Sequence, residues 1–374
     1  MDDTTDTSQP ITPSERRLVI FLAASLSLLF FLVGAWCWVV IRQNKIADDQ
    51  RLQAVIESPT IQVGAPYDEA PPPGVQVEPS EVEVGLYLNQ VPSFSMRDSA
   101  WVADFFIWFR WQGDLPDPGE SFSIIDSSIL SREKVAESHS GNTHYTRYHV
   151  VAQIYKFFDV SRFPLSETLL TIPVMNARHP VYELRFHADL DNSGISPRVN
   201  ILEGIHITRS DALVKLNTFQ TDFNDLAFPP GYRPAYSTFI YGIWVSSPGL
   251  MYFFKLFLAL IVSGLIAISV FFIKPTDVDP RFGLGVGALF AASATAYVIS
   301  SAMPPSGGLV LADMVSVVGI LVIFLTVMES ILSLYFYDIL DKQALSRWMD
   351  KVMIVVFTVG FVAVNITIPL AALV

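Results

Sequence analysis

The sequence predicts an α+β membrane protein. An extracellular or periplasmic all-β sandwich is followed by a four-helix transmembrane bundle, with one further transmembrane helix at the N-terminus. Three observations predict this. Five apolar runs, near residues 18–41, 250–273, 282–303, 309–336 and 352–373, each hold the roughly 20 residues that a helix needs to cross a ~30 Å hydrocarbon core. A polar block of about 200 residues separates the first run from the second, long enough to bury a core of its own. Within that block the apolar residues alternate with period two rather than recurring every three or four. Composition agrees: 51% of the 374 residues are hydrophobic, 16% are charged, and the mean hydropathy is +0.43, fewer charges than a soluble domain carries.

The elements follow in order. Residues 1–17 form a short polar N-terminus. The run at 18–41 has an apolar core from Leu18 to Ile41, too long for a signal peptide and without a small-residue cleavage site after it, so a retained anchor is expected. Residues 42–80 read as a linker: "RQNKIADDQRLQAVIE" continues as a polar helix, then "SPTIQVGAPYDEAPPPGVQVEPS" favours an extended chain through its prolines. Residues 81–247 carry strand-like runs: "VEVGLYLNQV", "WVADFFIWFRW", "RYHVVAQIYKFF", "TLLTIPVM", "VYELRFHADL", "EGIHITRS" and "YSTFIYGIWV". Turn formers separate them, which suits a sandwich. The last strand meets the second span through "SSPGLMYFF", so a shift in the β domain is expected to reach the helices. Residues 248–374 hold the remaining four spans, joined by short loops.

Basic residues set orientation. Arg16 and Arg17 precede the first span, Lys274 and Arg281 lie between the second and third, and Lys342, Arg347 and Lys351 lie between the fourth and fifth. The turn "MPPSGG" has none. This places the N-terminus in the cytoplasm, and the large domain and C-terminus outside, although Arg42, Lys45 and Arg51 oppose it. The expected location is a bacterial inner membrane, crossed several times, with the large domain in the periplasm and lipid around the spans.

Charge and chemistry exclude several classes. Between Asp48 and Val245 there are 25 acidic against 14 basic residues, a net of −11. That disfavours nucleic acid and draws inorganic cations toward the membrane. The one cysteine, Cys37, lies in the first span, which removes disulfides, thiolate metal sites and a cysteine nucleophile from the β domain. No nucleophile–base pair, phosphate loop or acid pair appears, so no enzyme is expected, and no cofactor. His144 and His149 have no matching carboxylate. "DLDNSG" copies the first half of a calcium loop, with Asp189 and Asp191 as candidate ligands for possible calcium. Asn200 stands where an EF-hand needs Glu, and a polar turn is the other reading. "NIT" at Asn365 lies in the last span and is no glycosylation site.

Several motifs, in order, resemble the pentameric ligand-gated ion channels, prokaryotic type. "DVSRFPLSETLLTI" resembles their proline loop, with Phe163 and Pro164 matching; Ser166 holds the usual Asp position, with Glu167 beside it. "RFGLGVGALF" looks like the start of their pore-lining helix, particularly in the anion-selective animal members. "WVADFFIWFRWQGDL" resembles their second strand and its Trp-x-x-Asp ending at Trp111 and Asp114. "AMPPSGGLVLADM" looks like the loop joining their second and third channel helices. The paired cysteines of the animal receptors are absent. Ser246 and Ser247 replace the usual basic residue after the last strand, and the N-terminal span is an addition to the four-helix plan.

The resemblance implies a homopentamer in which an unknown small-molecule ligand, bound outside, opens a central pore for inorganic ions. The helix 282–303 would line it. On a helix, Gly283, Gly287, Phe290, Ala294 and Tyr297 share one face. Five Phe290 side chains could close a lumen by dewetting. Gly283 and Gly287 also match a helix-packing motif. Asp279 would stand at the inner mouth, where a carboxylate ring favours cations, or would simply suit the helix dipole. The glycine-rich opening points to anions and the acidic domain to cations; the balance leans to cations. The resemblance implies coupling through Phe163, Pro164, Arg97 in the "FSMRDS" turn, Pro304 and Pro305. It also implies a ligand pocket between subunits, with Tyr182, Tyr232 and Tyr236 on one side and Trp108 and Arg110 on the other. The alternative function is a non-conducting pentameric sensor or assembly protein on the same scaffold.

Overall fold

The computed structural model describes residues 11–199, 206–246, 249–304 and 308–373. Pro305, expected to take part in coupling, lies outside the described residues, as do Asn200 and Ser247. The chain divides into two compact units. One gathers the chain up to Ile46, Val160–Ser166 and everything from Gly249; the other holds Ala47–Asp159 and the chain from Glu167.

The second unit is built of strands: β1 (Ser80–Ser95), β2 (Ala100–Gln112), β3 (Phe122–Ile124), β4 (Ser127–Ser140), β5 (Thr143–Tyr155), β6 (Glu167–Asn176), β7 (Leu184–Ala188), β8 (Gly194–Ile195), β9 (His206–Asn217) and β10 (Tyr236–Ser246). They form two sheets. One runs β4-β5-β2-β1-β7, with β8 also on β1; the other runs β3-β6-β10-β9. Most ladders are antiparallel, while β1 pairs with β7 and β8 in parallel. The alternation in β2 explains the core. Trp101, Ala103, Phe105, Ile107, Phe109 and Trp111 are buried, while the residues between them are partly exposed. The Phe109 ring meets Phe122 of β3 at 5.6 Å and Phe186 of β7 at 6.1 Å. Each such side chain contributes about 1.5–3 kcal/mol by leaving water.

Two features differ from expectation. β4 is a long strand that the apolar pattern misses, because almost all of it is exposed. Among the described residues it pairs with β5 alone, and Arg132, Glu133, Lys134 and Glu137 charge this edge, which discourages further pairing. The linker is also docked rather than loose. The polar helix ends at Glu57, and the Lys215 ammonium donates to the Ile56 and Ser58 carbonyls at 2.9 and 2.7 Å and also to Val55. Thr60 and Asp68 then bridge to Leu216 and Pro234. A lysine on the last carbonyls of a helix satisfies groups that would otherwise lack donors.

The first unit is helical. Helix α1 runs Pro13–Glu57, its membrane-length part falling in this unit. A single turn, α2 (Pro118–Ser121), belongs to the strand unit. Then come α3 (Leu250–Ser269), α4 (Val278–Ser301), α5 (Leu311–Leu334), which closes in a π turn at Tyr335–Ile339, and α6 (Gln343–Leu373). Helices α1, α3, α4, α5 and α6 are long and apolar enough to cross a membrane, at the positions the apolar runs predict. A Cβ on Gly360 of α6 would lie 2.4 Å from the ring of Phe30, so glycine is what lets α1 approach α6 there.

The position of Arg281 corrects the sequence reading. It is not a loop charge. It lies in the first turn of α4 and is 1% exposed, held against α6. Of the two basic residues assigned to that turn, only Lys274 is exposed.

Candidate pore face and ligand cleft

Helix α4 is apolar but small, and its burial is one-sided. Arg281, Gly285, Ala288, Ala292 and Ile299 are buried, at the three- and four-residue spacing of one helical stripe. This stripe packs on α5 and α3. A Cβ on Gly285 would lie 2.7 Å from Val327 of α5, so Gly285 is the close-packing glycine. Gly283 and Gly287, the pair that matches a packing motif, face open space: a Cβ on either would meet nothing within 4 Å. On the same side Phe290 is 73% and Tyr297 75% exposed, and Asp279 and Ala294 are exposed as well. Leu284 and Val286, beside this face, are exposed and Leu289 is half-buried. Within one chain α4 is the least covered of α3 to α6. The Thr295 and Ser301 hydroxyls donate to Ala291 and Val298 carbonyls of their own helix, which satisfies them without a partner.

The base of α4 is tied down ionically. Arg281 Nη1 donates to Asp350 Oδ2 at 3.0 Å and to the Ile273 carbonyl at 3.1 Å, and Nη2 donates to Asp350 Oδ1 at 2.8 Å. Glu329 of α5 is 3.8 Å from Nη2. Neither acid was singled out from sequence, although an acidic residue within an apolar run is itself a signal.

Of the expected coupling residues, Phe163 and Pro164 belong to the helical unit, although the strands flanking them do not. Their peptide bond is cis. Ser161 accepts from the Leu311 N–H, at the start of α5, at 2.9 Å. The Phe163 ring stands edge-on to Tyr252 of α3 at 6.5 Å. Pro304 is buried in the same unit. Arg97 is exposed in the β1–β2 turn of the strand unit.

Trp108 and Arg110 line one cleft of about 510 Å³ on the outer face of the larger sheet, together with Tyr87, Phe106, Tyr145, Arg147, Asp189 and Asn192. Register builds it. Trp108 lies between Gly85 of β1 and Arg147 of β5, and a Cβ on Gly85 would sit 2.1 Å from its ring. The indole N–H donates to Asp189 at 3.1 Å. Arg110 donates to Glu83 at 2.6 Å through Nε. The Arg147 guanidinium is 5.9 Å from the Phe106 ring centre, within cation–π range. Two guanidinium groups and an aromatic wall suit a small polar organic ligand. Arg147, Tyr87 and Tyr145 were missed because only strand register brings them to Trp108, whereas Phe106, two residues before Trp108 on β2, shares its face by alternation and was legible but overlooked.

Of the two candidate calcium ligands, Asp189 lines this cleft, and it is engaged otherwise than in a calcium loop. Asp189 accepts from Trp108 and from the Asn192 backbone and side chain, and Asp191 is exposed. Among the described residues no three His, Cys, Asp or Glu side chains gather as a metal site. A cation at Asp189 would have to displace these donors.

Tyr182, Tyr232 and Tyr236 gather separately, near the β9–β10 connection. Burial pushes the Tyr232 phenol up to about 12, with the charges of Tyr182 and Asp68 adding to it. Burial raises Tyr182 as well, followed by Glu183 and Tyr236. Burial likewise raises Tyr236, followed by Asp225 and Glu183. Tyr232 donates to the Ala70 carbonyl and stacks on Phe228 at 5.4 Å. Tyr182 is buried, so it supports this cluster more than it lines a surface. One chain therefore carries the two halves of the expected ligand pocket in two separate places. No family model and no curated protein matches the chain, so its activity is read from its own side chains.

Proposed function

We propose that the protein is a homopentameric ligand-gated ion channel of a bacterial inner membrane, lined by α4 and leaning toward cations. The observation that carries this is the two-sided character of α4. Its one face packs on α5 and α3, while Gly283, Gly287, Phe290, Ala294 and Tyr297 form an uncovered face on the other. A helix of small and lightly polar residues is a poor lipid-facing helix and a good wall for a hydrated axis. Five such faces around an axis put Phe290 at a ring that closes by dewetting. Leu284 and Val286 beside it would meet neighbouring copies.

In this reading the two sheets form a periplasmic sandwich and α3 to α6 a four-helix channel domain, with α1 as an added anchor and the N-terminus in the cytoplasm. The ligand sits between copies, Trp108 and Arg110 from one and the Tyr232 and Tyr236 cluster from the next. Phe163 and Pro164 carry motion to α3 and α5. Asp279, exposed in the first turn of α4, and the acidic domain favour cations.

The test is ion flux through liposomes holding the purified full-length chain, with particle imaging of the same sample. Five-fold particles that pass ions when exposed to a ligand library support the reading. Five-fold particles that pass none under any ligand favour the sensor or assembly alternative. Monomers would sink both.

A further inference from the structure

The cluster at the base of α4 has one cation and two acids, drawn from three helices. Arg281 uses its outer fork, Nη1 and Nη2, on Asp350 of α6. Its side fork is idle: the buried Nε has no hydrogen-bond partner among the described residues, and Nη2 stands 3.8 Å from Glu329. That distance is an ion-pair contact but too long for a hydrogen bond. Both oxygens of Glu329 are buried and have no hydrogen-bond partner among the described residues. A guanidinium offers a planar fork on each of two edges, each matching one carboxylate. An unused fork therefore lies next to an unused acid, and both are out of water. The π turn at Tyr335–Ile339 follows Glu329 by less than two helical turns, and such turns are frequent where a helix changes register at a functional site.

We propose that Arg281 is a two-position ionic latch. Its guanidinium passes from Asp350 on α6 to Glu329 on α5, and the first turn of α4 shifts with it. Nη1 keeps the Ile273 carbonyl while Nε and Nη2 take Glu329, so the move needs a swing of about 1 Å at the contact that is now too long. In either position one buried acid lacks the fork. The two arrangements are thus of similar kind, which is what a bistable element requires. The charges that face the guanidinium from α5 and α6 are Glu329 and Asp350. If α4 lines a pore, the latch sits at that helix's first turn, but the latch itself does not depend on conduction.

The experiment uses full-length protein in nanodiscs. The structure of Asp350→Asn is expected to place Arg281 Nε or Nη2 within roughly 3.2 Å of Glu329. A guanidinium still beyond hydrogen-bond distance from Glu329 would overturn the latch. So would failure of Asp350→Asn to fold while Glu329→Gln folds normally, because a latch holds a second acid in reserve. Thermal unfolding of the two single variants and the double variant gives an independent reading. The double variant is expected to lose more in Tm than the two single losses combined, since each single variant keeps one acid for Arg281. Strict additivity would mean a fixed pair and refute the proposal. None of these outcomes needs ion flux, so a silent channel and a fixed Arg281 remain separate results.

Discussion

Phe290 is a large apolar side chain left uncovered on a helix whose opposite side is packed with glycine and alanine. Truncating it removes the bulk that a dewetted gate depends on. Phe290→Ala is expected to raise ligand-free flux roughly tenfold, equivalent to about 1.4 kcal/mol toward the open form; unchanged closure in the liposome assay counts against the gate. Gly85 acts by what it lacks. Its missing Cβ makes room for the Trp108 ring, and Gly85→Ala should displace the indole and cost about 1–3 kcal/mol, read as a lower melting point with altered tryptophan emission. Lys156 gives a pH signature. Its stem is half-buried and its ammonium is tucked against the Leu169 carbonyl, and burial holds it down to about 8. The unfolded lysine titrates near 10.4. Between these values the unfolded chain binds more protons, so stability rises with pH. Unfolding of the purified protein should become harder from pH 8 to about 10, by about 1–3 kcal/mol in all, and Lys156→Met should flatten that slope.

Elements show how such residues are placed. The closest approach of α1 to α6 is Phe30 over Gly360, with Phe30 edge-on to Phe357 at 5.9 Å, and Lys45 of α1 donates to the Leu373 carbonyl at 3.0 Å. Lys342 also pairs with Glu15 at the start of α1, at 2.7 Å. Gly360→Leu puts a side chain where the Phe30 ring lies. It is expected to separate α1 from α6, giving faster protease cleavage near residue 46 and a lower melting point, by roughly 1–3 kcal/mol of overpacking. An unaltered digestion pattern would show that α1 is held by other contacts. β4 follows the opposite rule. It buries almost no apolar surface and is held by pairing with β5 and by its charges, Lys134 bridging Asp117 at 2.9 Å and Arg132 donating to the Phe122 carbonyl at 3.3 Å.

At the scale of the whole molecule, the proposed assembly would cover the exposed side of α4 and bring Trp108 and Arg110 of one copy to the Tyr232 and Tyr236 cluster of the next, which lie apart in one chain. The strand region carries nearly all of the −12 net charge of the protein, and copies that gather around an axis would place that charge around its outer mouth. Amine cross-linking of detergent-solubilised protein should give a ladder that ends at five subunits. A ladder ending at one or two would refute the assembly, and with it the pore.

Apolar length and alternation made the spans and most strands legible in the residues alone, because both are local: a helix must be about 20 residues long to cross lipid, and a half-buried strand must alternate. The outward stripe of α4 was legible for the same reason, since helical period is local too. β4 was not legible, because an exposed strand leaves no burial pattern. Nor were the cross-strand partners of Trp108, which depend on register between distant strands. Arg281 shows the limit most sharply. Sequence position made it a loop charge, but only the packing of α4 against α5 and α6 brought it to two acids far along the chain and took all three out of water, because contacts between helices are set by three-dimensional packing and not by neighbours in the chain.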